Sequence, residues 1–239
     1  MFCKRAIWKQ LAIPLFFSTT FFLSTQTAYS AESTQTVYFQ GYVGAASFNE
    51  DSMTFVESSD ADPDTITTTD LSSMPYLGFA AQFPLSPKKT HVGIDASLLF
   101  GWRSDDSSVT AGNGQARVEI DTNLWLLDLS MGLYAQTALG ERWRLYGAVG
   151  PLLLFGSYSD DTKEENPDVS PVDVKKESNS DSAFGFGGYA KLGLEYALSS
   201  DNYVGIAVRG ITTNLDFDSA LDDDGVNGLQ GFLTFTHVY

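Results

Sequence analysis

Cysteine is nearly missing: the 239 residues hold one, Cys3. It falls in a segment that other features mark for removal, so the mature chain is left with no disulfide and no thiol site. Histidine occurs twice, as His91 and His237, which leaves few side chains of the usual general-base kind. Positive charge is scarce as well, with 14 Lys and Arg against 30 Asp and Glu, and that balance excludes nucleic acid as a partner. Beyond the N-terminal segment no stretch approaches the roughly eighteen consecutive apolar residues of a spanning helix. Helical periodicity is absent too, while alternation with period two recurs along the chain.

What is present begins with a basic start, Lys4, Arg5 and Lys9, followed by the apolar "LAIPLFFSTTFFLS". Ala28-Tyr29-Ser30 then offers small residues at signal-peptidase spacing, so residues 1–30 read as a signal peptide cleaved before Ala31. The apolar core is short of the roughly twenty residues that a membrane anchor needs. Cys3 stands too early for a lipoprotein signal. The expected mature domain, 31–239, has 209 residues and reads as one domain with a net charge of −19.

Eight alternating runs fill that domain: 36–48, 74–85, 90–102, 123–137, 142–159, 183–198, 203–215 and 229–239. The connections alternate in length. Polar stretches at 49–72, 104–116, 160–181 and 216–227 interleave with the tight "SPKK", "ALGE" and "SSDN" turns. Short turns on one side and long loops on the other are the rhythm of an up-and-down transmembrane barrel with both termini inside the cell envelope. The expected fold is therefore all-β, an eight-stranded antiparallel transmembrane up-and-down β-barrel.

Each run has two unlike faces. In 90–102, Val92, Ile94, Ala96, Leu98, Phe100 and Trp102 oppose Gly93, Asp95, Ser97 and Gly101. In 183–198, Phe184, Phe186, Leu192 and Leu194 oppose Gly185, Gly187, Lys191 and Glu195. Alternation alone fits a soluble barrel or a membrane barrel. Volume separates them, because an eight-stranded barrel has an interior just wide enough for side chains to fill it. The bulky face suits lipid; the small face with a few long polar chains suits the lumen.

With "YFQGYVGAASF" at the start and "LQGFLTFTHVY" at the end, the chain resembles the small eight-stranded bacterial outer-membrane β-barrels of the outer-membrane protein X and outer-membrane protein A membrane-domain type. The resemblance covers the whole mature chain. It implies an outer-membrane address, contact with membrane lipid and lipopolysaccharide, insertion by the barrel-assembly machinery and a monomer. It also implies that the last strand is an assembly signal, a terminal aromatic preceded by apolar residues at alternate positions. Leu229, Leu233, Phe235 and Tyr239 fit that pattern, and Gly231 and His237 depart from it.

Face assignment sends six charges inward: Asp95, Asp128, Arg144, Lys191, Glu195 and Arg209. Three acids and three bases sum to zero, and a mutually paired network tolerates burial that isolated charges do not. The plain reading is an ion-paired filling of the lumen; the alternative is a narrow polar path for small solutes. A lipid-A-modifying enzyme is a third reading. His91 and His237 both fall at the periplasmic end, away from the outer leaflet, so no catalytic residue, cofactor or metal site is expected. The four polar stretches carry 22 acids against three lysines and read as a solvated acidic surface or a site for divalent cations. "DDDGVNG" at 222–228 fails as a calcium loop, since Ala220 and Gly231 would occupy its first and last ligand positions. The strand-like "ARVEID" at 116–121 is expected to rise above the membrane and offer an edge to an unidentified extracellular ligand. A structural or surface-interaction role is the expected function.

Overall fold

The structure, a computed structural model, describes residues 36–58, 66–85, 90–111, 116–166, 173–218, 220 and 225–239. The expected signal peptide and its cleavage site lie outside them. Ten strands follow in chain order: β1 (Tyr38–Phe48), β2 (Thr54–Ser58), β3 (Ile66–Asp70), β4 (Ser73–Pro84), β5 (Thr90–Ala111), β6 (Ala116–Leu139), β7 (Trp143–Asn166), β8 (Asp173–Ala197), β9 (Asn202–Thr213) and β10 (Asn227–Val238). Eight of them close a barrel in the order β1-β10-β9-β8-β7-β6-β5-β4, and β2 pairs with β3 in a separate hairpin. Every pairing is antiparallel.

Closure joins the two ends of the chain. β1 pairs with β10 from Tyr38↔Val238 to Phe48↔Gly228 and on its other edge with β4. Val37 and Tyr239 exchange backbone hydrogen bonds at 3.1 and 2.9 Å, so the last residue is held in the ladder. The start of β1, the end of β10, the Gly140 turn and the turn at 198–201 gather at one rim, the turn end; the strand ends that lead into the long connections gather at the other, the loop end. Gly140 adopts φ 73°, the left-handed conformation that the tight "ALGE" turn needs.

The bulky faces point outward. Val43, Leu133 and Leu233 are 66%, 64% and 68% exposed, as a lipid-facing belt requires. Trp102 pairs with Trp125 across β5 and β6 near the loop end, and Trp143 packs edge-on against Tyr196 near the turn end. These are the girdle positions where amphipathic rings settle at a membrane surface.

Strand length departs from the sequence reading. β1, β4, β9 and β10 have 11 or 12 residues, close to what a bilayer crossing needs. β5 to β8 have 22 to 25. The polar stretches at 104–116 and 160–181 are thus mostly strand and not loop. They form a four-stranded sheet that continues about 10 residues, on the order of 30 Å along a strand, past its shorter neighbours.

Candidate functional site

The lumen has two tiers. Near the turn end it is polar, and all six charges singled out above lie there, each between 0% and 5% exposed. Lys191 Nζ contacts both oxygens of Asp95, at 3.0 and 2.8 Å, and donates to the Tyr42 hydroxyl at 2.8 Å. Arg209 grips Asp128 with two guanidinium nitrogens, at 2.5 and 3.0 Å, while bonding Gln230 and Ser130. Arg144 Nη1 sits 3.5 Å from Glu195 Oε2. Lys191 and Arg209 are direct partners on β8 and β9, two like charges side by side. The pair is tolerated because each cation turns to a carboxylate on a different strand across the lumen.

Neutral side chains join these pairs into one net. Gln40 donates to Tyr146 at 2.8 Å and to Glu195 at 2.5 Å, and its carbonyl accepts from Tyr42. Gln82 donates to Asp95 at 3.1 Å and accepts from Arg144. Thr234 and Thr236 donate to Glu195 at 3.0 and 2.7 Å. Tyr189 gives its hydroxyl to Asp95 and lays its ring beneath Arg209, 4.6 Å from the guanidinium carbon. Charge alone did not single out Gln40, Gln82, Tyr42 or Tyr189. Their signal was inward parity with a hydrogen-bonding group, which the four share with many residues.

Glycines make space for the large rings in the lumen. A Cβ added to Gly193 would stand 2.2 Å from the ring of Tyr146, its partner on β7. One added to Gly101 would stand 2.3 Å from the Tyr76 ring, across the β4–β5 ladder. Small and large residues therefore alternate across facing positions, the filling that a narrow barrel demands.

Toward the loop end the lumen turns apolar, contrary to the expectation of a uniformly small and polar inner face. Leu99, Leu124, Leu126, Leu152 and Leu154 point inward with 0–2% exposure. A cork closes over them. Met53, Phe55 and Leu71 come from the first long connection and Leu215, Phe217 and Val226 from the last, all 0–1% exposed. Phe55 stacks on Tyr158 with centroids 3.9 Å apart and meets Phe217 edge-on at 5.4 Å. Backbone bonds tie the two segments together, Asn49 to Asn227 at 2.9 Å, and Phe55 bridges to Ala220. Two of the acidic stretches therefore carry apolar residues that fold into the barrel mouth, where a wholly solvated surface was expected.

The terminal strand presents Leu229, Leu233, Phe235 and Tyr239 outward, each at least 51% exposed, with Gln230, Thr234 and Thr236 inward at 0–5%. His237 bonds Asn202 at 2.9 Å and packs edge-on against Tyr239. His91, at the start of β5, lines a small hollow at the turn end. Among the described residues no group of three or more His, Cys, Asp or Glu is arranged to hold a metal ion. Most of "DDDGVNG" lies outside the described residues. Gly225 is within them and has φ 79°, as a turn requires.

The family model of the outer membrane protein beta-barrel domain matches residues 16–232. No curated protein matches the chain. Among solved structures it is similar to Ail, the attachment invasion locus protein of Yersinia pestis, at 11% identity and a TM-score of 0.45, over 86% of this chain and 99% of that one. It is also similar to Neisserial surface protein A, at 10% identity and 0.41, over 84% and 96%. The outer membrane protease OmpT from Escherichia coli aligns at 10% identity and 0.40, over 86% and 95%. The chain belongs to the outer membrane protein β-barrel domain family and is a small eight-stranded barrel of the bacterial outer membrane.

Proposed function

We propose that the protein is a non-catalytic surface-interaction barrel whose protruding sheet recruits an extended, basic segment of an extracellular partner. One observation carries this reading: the sheet of β5 to β8 rises past its neighbours with both edges open. β4 stops pairing with β5 at Tyr76↔Gly101, and β9 stops pairing with β8 at Gly187↔Thr213. Past Arg103 on one side and before Phe186 on the other, no described strand continues the ladder. Unpaired backbone groups along such an edge accept an added strand. The sheet also has a charge preference. Asp106, Asp121 and Asp161 are consecutive partners across β5, β6 and β7, a row of three carboxylates on one face.

The test shortens the sheet without touching the barrel. Ser104 pairs with Asn123, so replacing residues 105–122 by Asn-Gly leaves a two-residue hairpin. Folded wild type and the shortened variant are titrated with an alternating valine–lysine peptide and with polylysine of equal charge. Strand addition at the β5 edge predicts that the alternating peptide binds wild type best and that the shortened variant loses it. Equal binding by both proteins would sink the proposal.

The narrow-channel reading has less support, because the lower lumen is filled by paired side chains and the upper by the cork. Planar-bilayer recordings are expected to be silent for wild type, Lys191→Ala and Arg209→Ala; steady conductance in wild type would restore that reading. The enzyme reading lacks a histidine base at the loop end, since both histidines stand at the turn end.

A further inference from the structure

At the turn-end mouth lies a hollow of about 120 Å³, lined among others by Tyr38, His91, Gln136, Arg142, Arg144 and Tyr203. Its floor is unusual in its hydrogen bonding. The Arg144 side chain is 5% exposed, and only its Nη2 has a hydrogen-bond acceptor, Gln82. Its Nε has none and its Nη1 only the Glu195 carboxylate at ion-pair distance, 3.5 Å, while Oε1 of Gln136, a residue 5% exposed, has no donor. Buried guanidinium N–H groups rarely go unsatisfied, because each costs its desolvation without return.

The surroundings fix the guanidinium in place. The Tyr38 ring lies 4.1 Å from its central carbon, with Tyr146 at 5.0 Å and Tyr203 at 5.9 Å. Gln136 pairs with His91 on one side and Tyr146 on the other, and Arg144 is diagonal to it on β7. A fixed guanidinium fork whose Nε–H is free, an open acceptor near it and a second arginine, Arg142, at the rim therefore line one hollow. Glu141 also lines the rim, exposed to solvent, where its charge is screened.

We infer that this hollow binds a small oxyanion, a carboxylate or a phosphate, at the turn-end mouth of the barrel. One oxygen accepts from the Arg144 Nε–H and a second faces Arg142 at the rim, and the Gln136 carbonyl accepts a proton carried by hydrogen phosphate or by a bridging water. The volume exceeds the roughly 30 Å³ share of one water, so a single solvent molecule does not fill it. This site is separate from the protruding sheet and does not depend on it.

The full mature barrel, folded in neutral maltoside micelles, is titrated with sodium phosphate and with sodium acetate at constant ionic strength set by chloride. Amide chemical shifts are followed, and nanodiscs with and without phosphatidylglycerol form a third arm. Saturable shifts confined to residues around Gln136, Arg142, Arg144 and Tyr203 are expected. Response to phosphate alone, acetate alone or the lipid alone identifies the source of the oxyanion. Gln136→Glu places a competing carboxylate in the hollow, and Arg144→Lys keeps the charge facing Glu195 while removing the fork. Each is expected to weaken binding about tenfold or more while leaving the remaining spectrum that of a folded barrel. No saturable shift with any probe, or unchanged binding in both variants, would overturn the assignment.

Discussion

At Gly193 the lumen has no room for a methyl group, since the Tyr146 ring occupies the place where a Cβ would sit. Gly193→Ala is expected to cost about 1–3 kcal/mol, the usual range for overpacking, read from the urea midpoint in micelles. Gly210 is the control: nothing lies within 4 Å of a Cβ there, so Gly210→Ala should leave the midpoint close to wild type. The Arg209–Asp128 pair behaves differently, because its members are worth little as a unit and much as a broken unit. Arg209→Met leaves Asp128 uncompensated in the lumen and should lower stability by about 3–5 kcal/mol. Adding Asp128→Leu should recover most of that loss. A double variant no better than the single would show that the pair stabilises beyond mutual neutralisation. Parity along β6, β8 and β9 assigns these residues to a face from the sequence alone. Which acid meets which base was not legible, because Lys191 reaches Asp95 and not the neighbouring carboxylates only by virtue of the barrel's width.

The elements near the loop end hold the main departures from the sequence reading. Met53 and Phe55, in the short "MTFV", and the lone Phe217 lie within acidic stretches, and runs this short have no periodicity to announce them. They become a cork because closure brings the first and last long connections together over an apolar floor. Phe55→Ala removes the ring stacked on Tyr158 and is expected to cost the cork about 3–5 kcal/mol, as large aromatic truncations do. The measurement is limited proteolysis: cleavage within residues 49–72 should accelerate while the barrel strands stay protected. Equal rates would mean that the cork is held chiefly by its backbone bonds. Of the extensions of β5 to β8, "ARVEID" at the start of β6 read as strand, and the rest were hidden for a different reason. Their polar alternation looks like solvated loop, and only pairing with neighbours of equal length makes them strand. The carboxylate row gives them a salt dependence, since like charges directly opposite one another are destabilising. Asp161→Asn should stabilise the extension by about 0.2–1 kcal/mol at low ionic strength, seen as slower amide exchange, with the gain vanishing in high salt.

For the whole molecule, membrane insertion is proposed to turn on the terminal strand. Its outward residues are proposed to be read by the assembly machinery, so Tyr239→Ala should slow insertion in cells more than it lowers the stability of refolded protein. His237→Tyr should insert at least as well as wild type; slower insertion would show that the contact with Asn202 matters more than the aromatic pattern. The sequence by itself determined the number of barrel strands, the antiparallel order, the two faces and the membrane address. Each follows from local alternation and the spacing of turns, and alternation survives any change in the rest of the chain. The tertiary structure alone decided the pairing of lumen charges, the cork, the height of the protruding sheet and the hollow at Arg144. Those features join residues scores of positions apart, and their geometry is set by the circumference at which eight strands close.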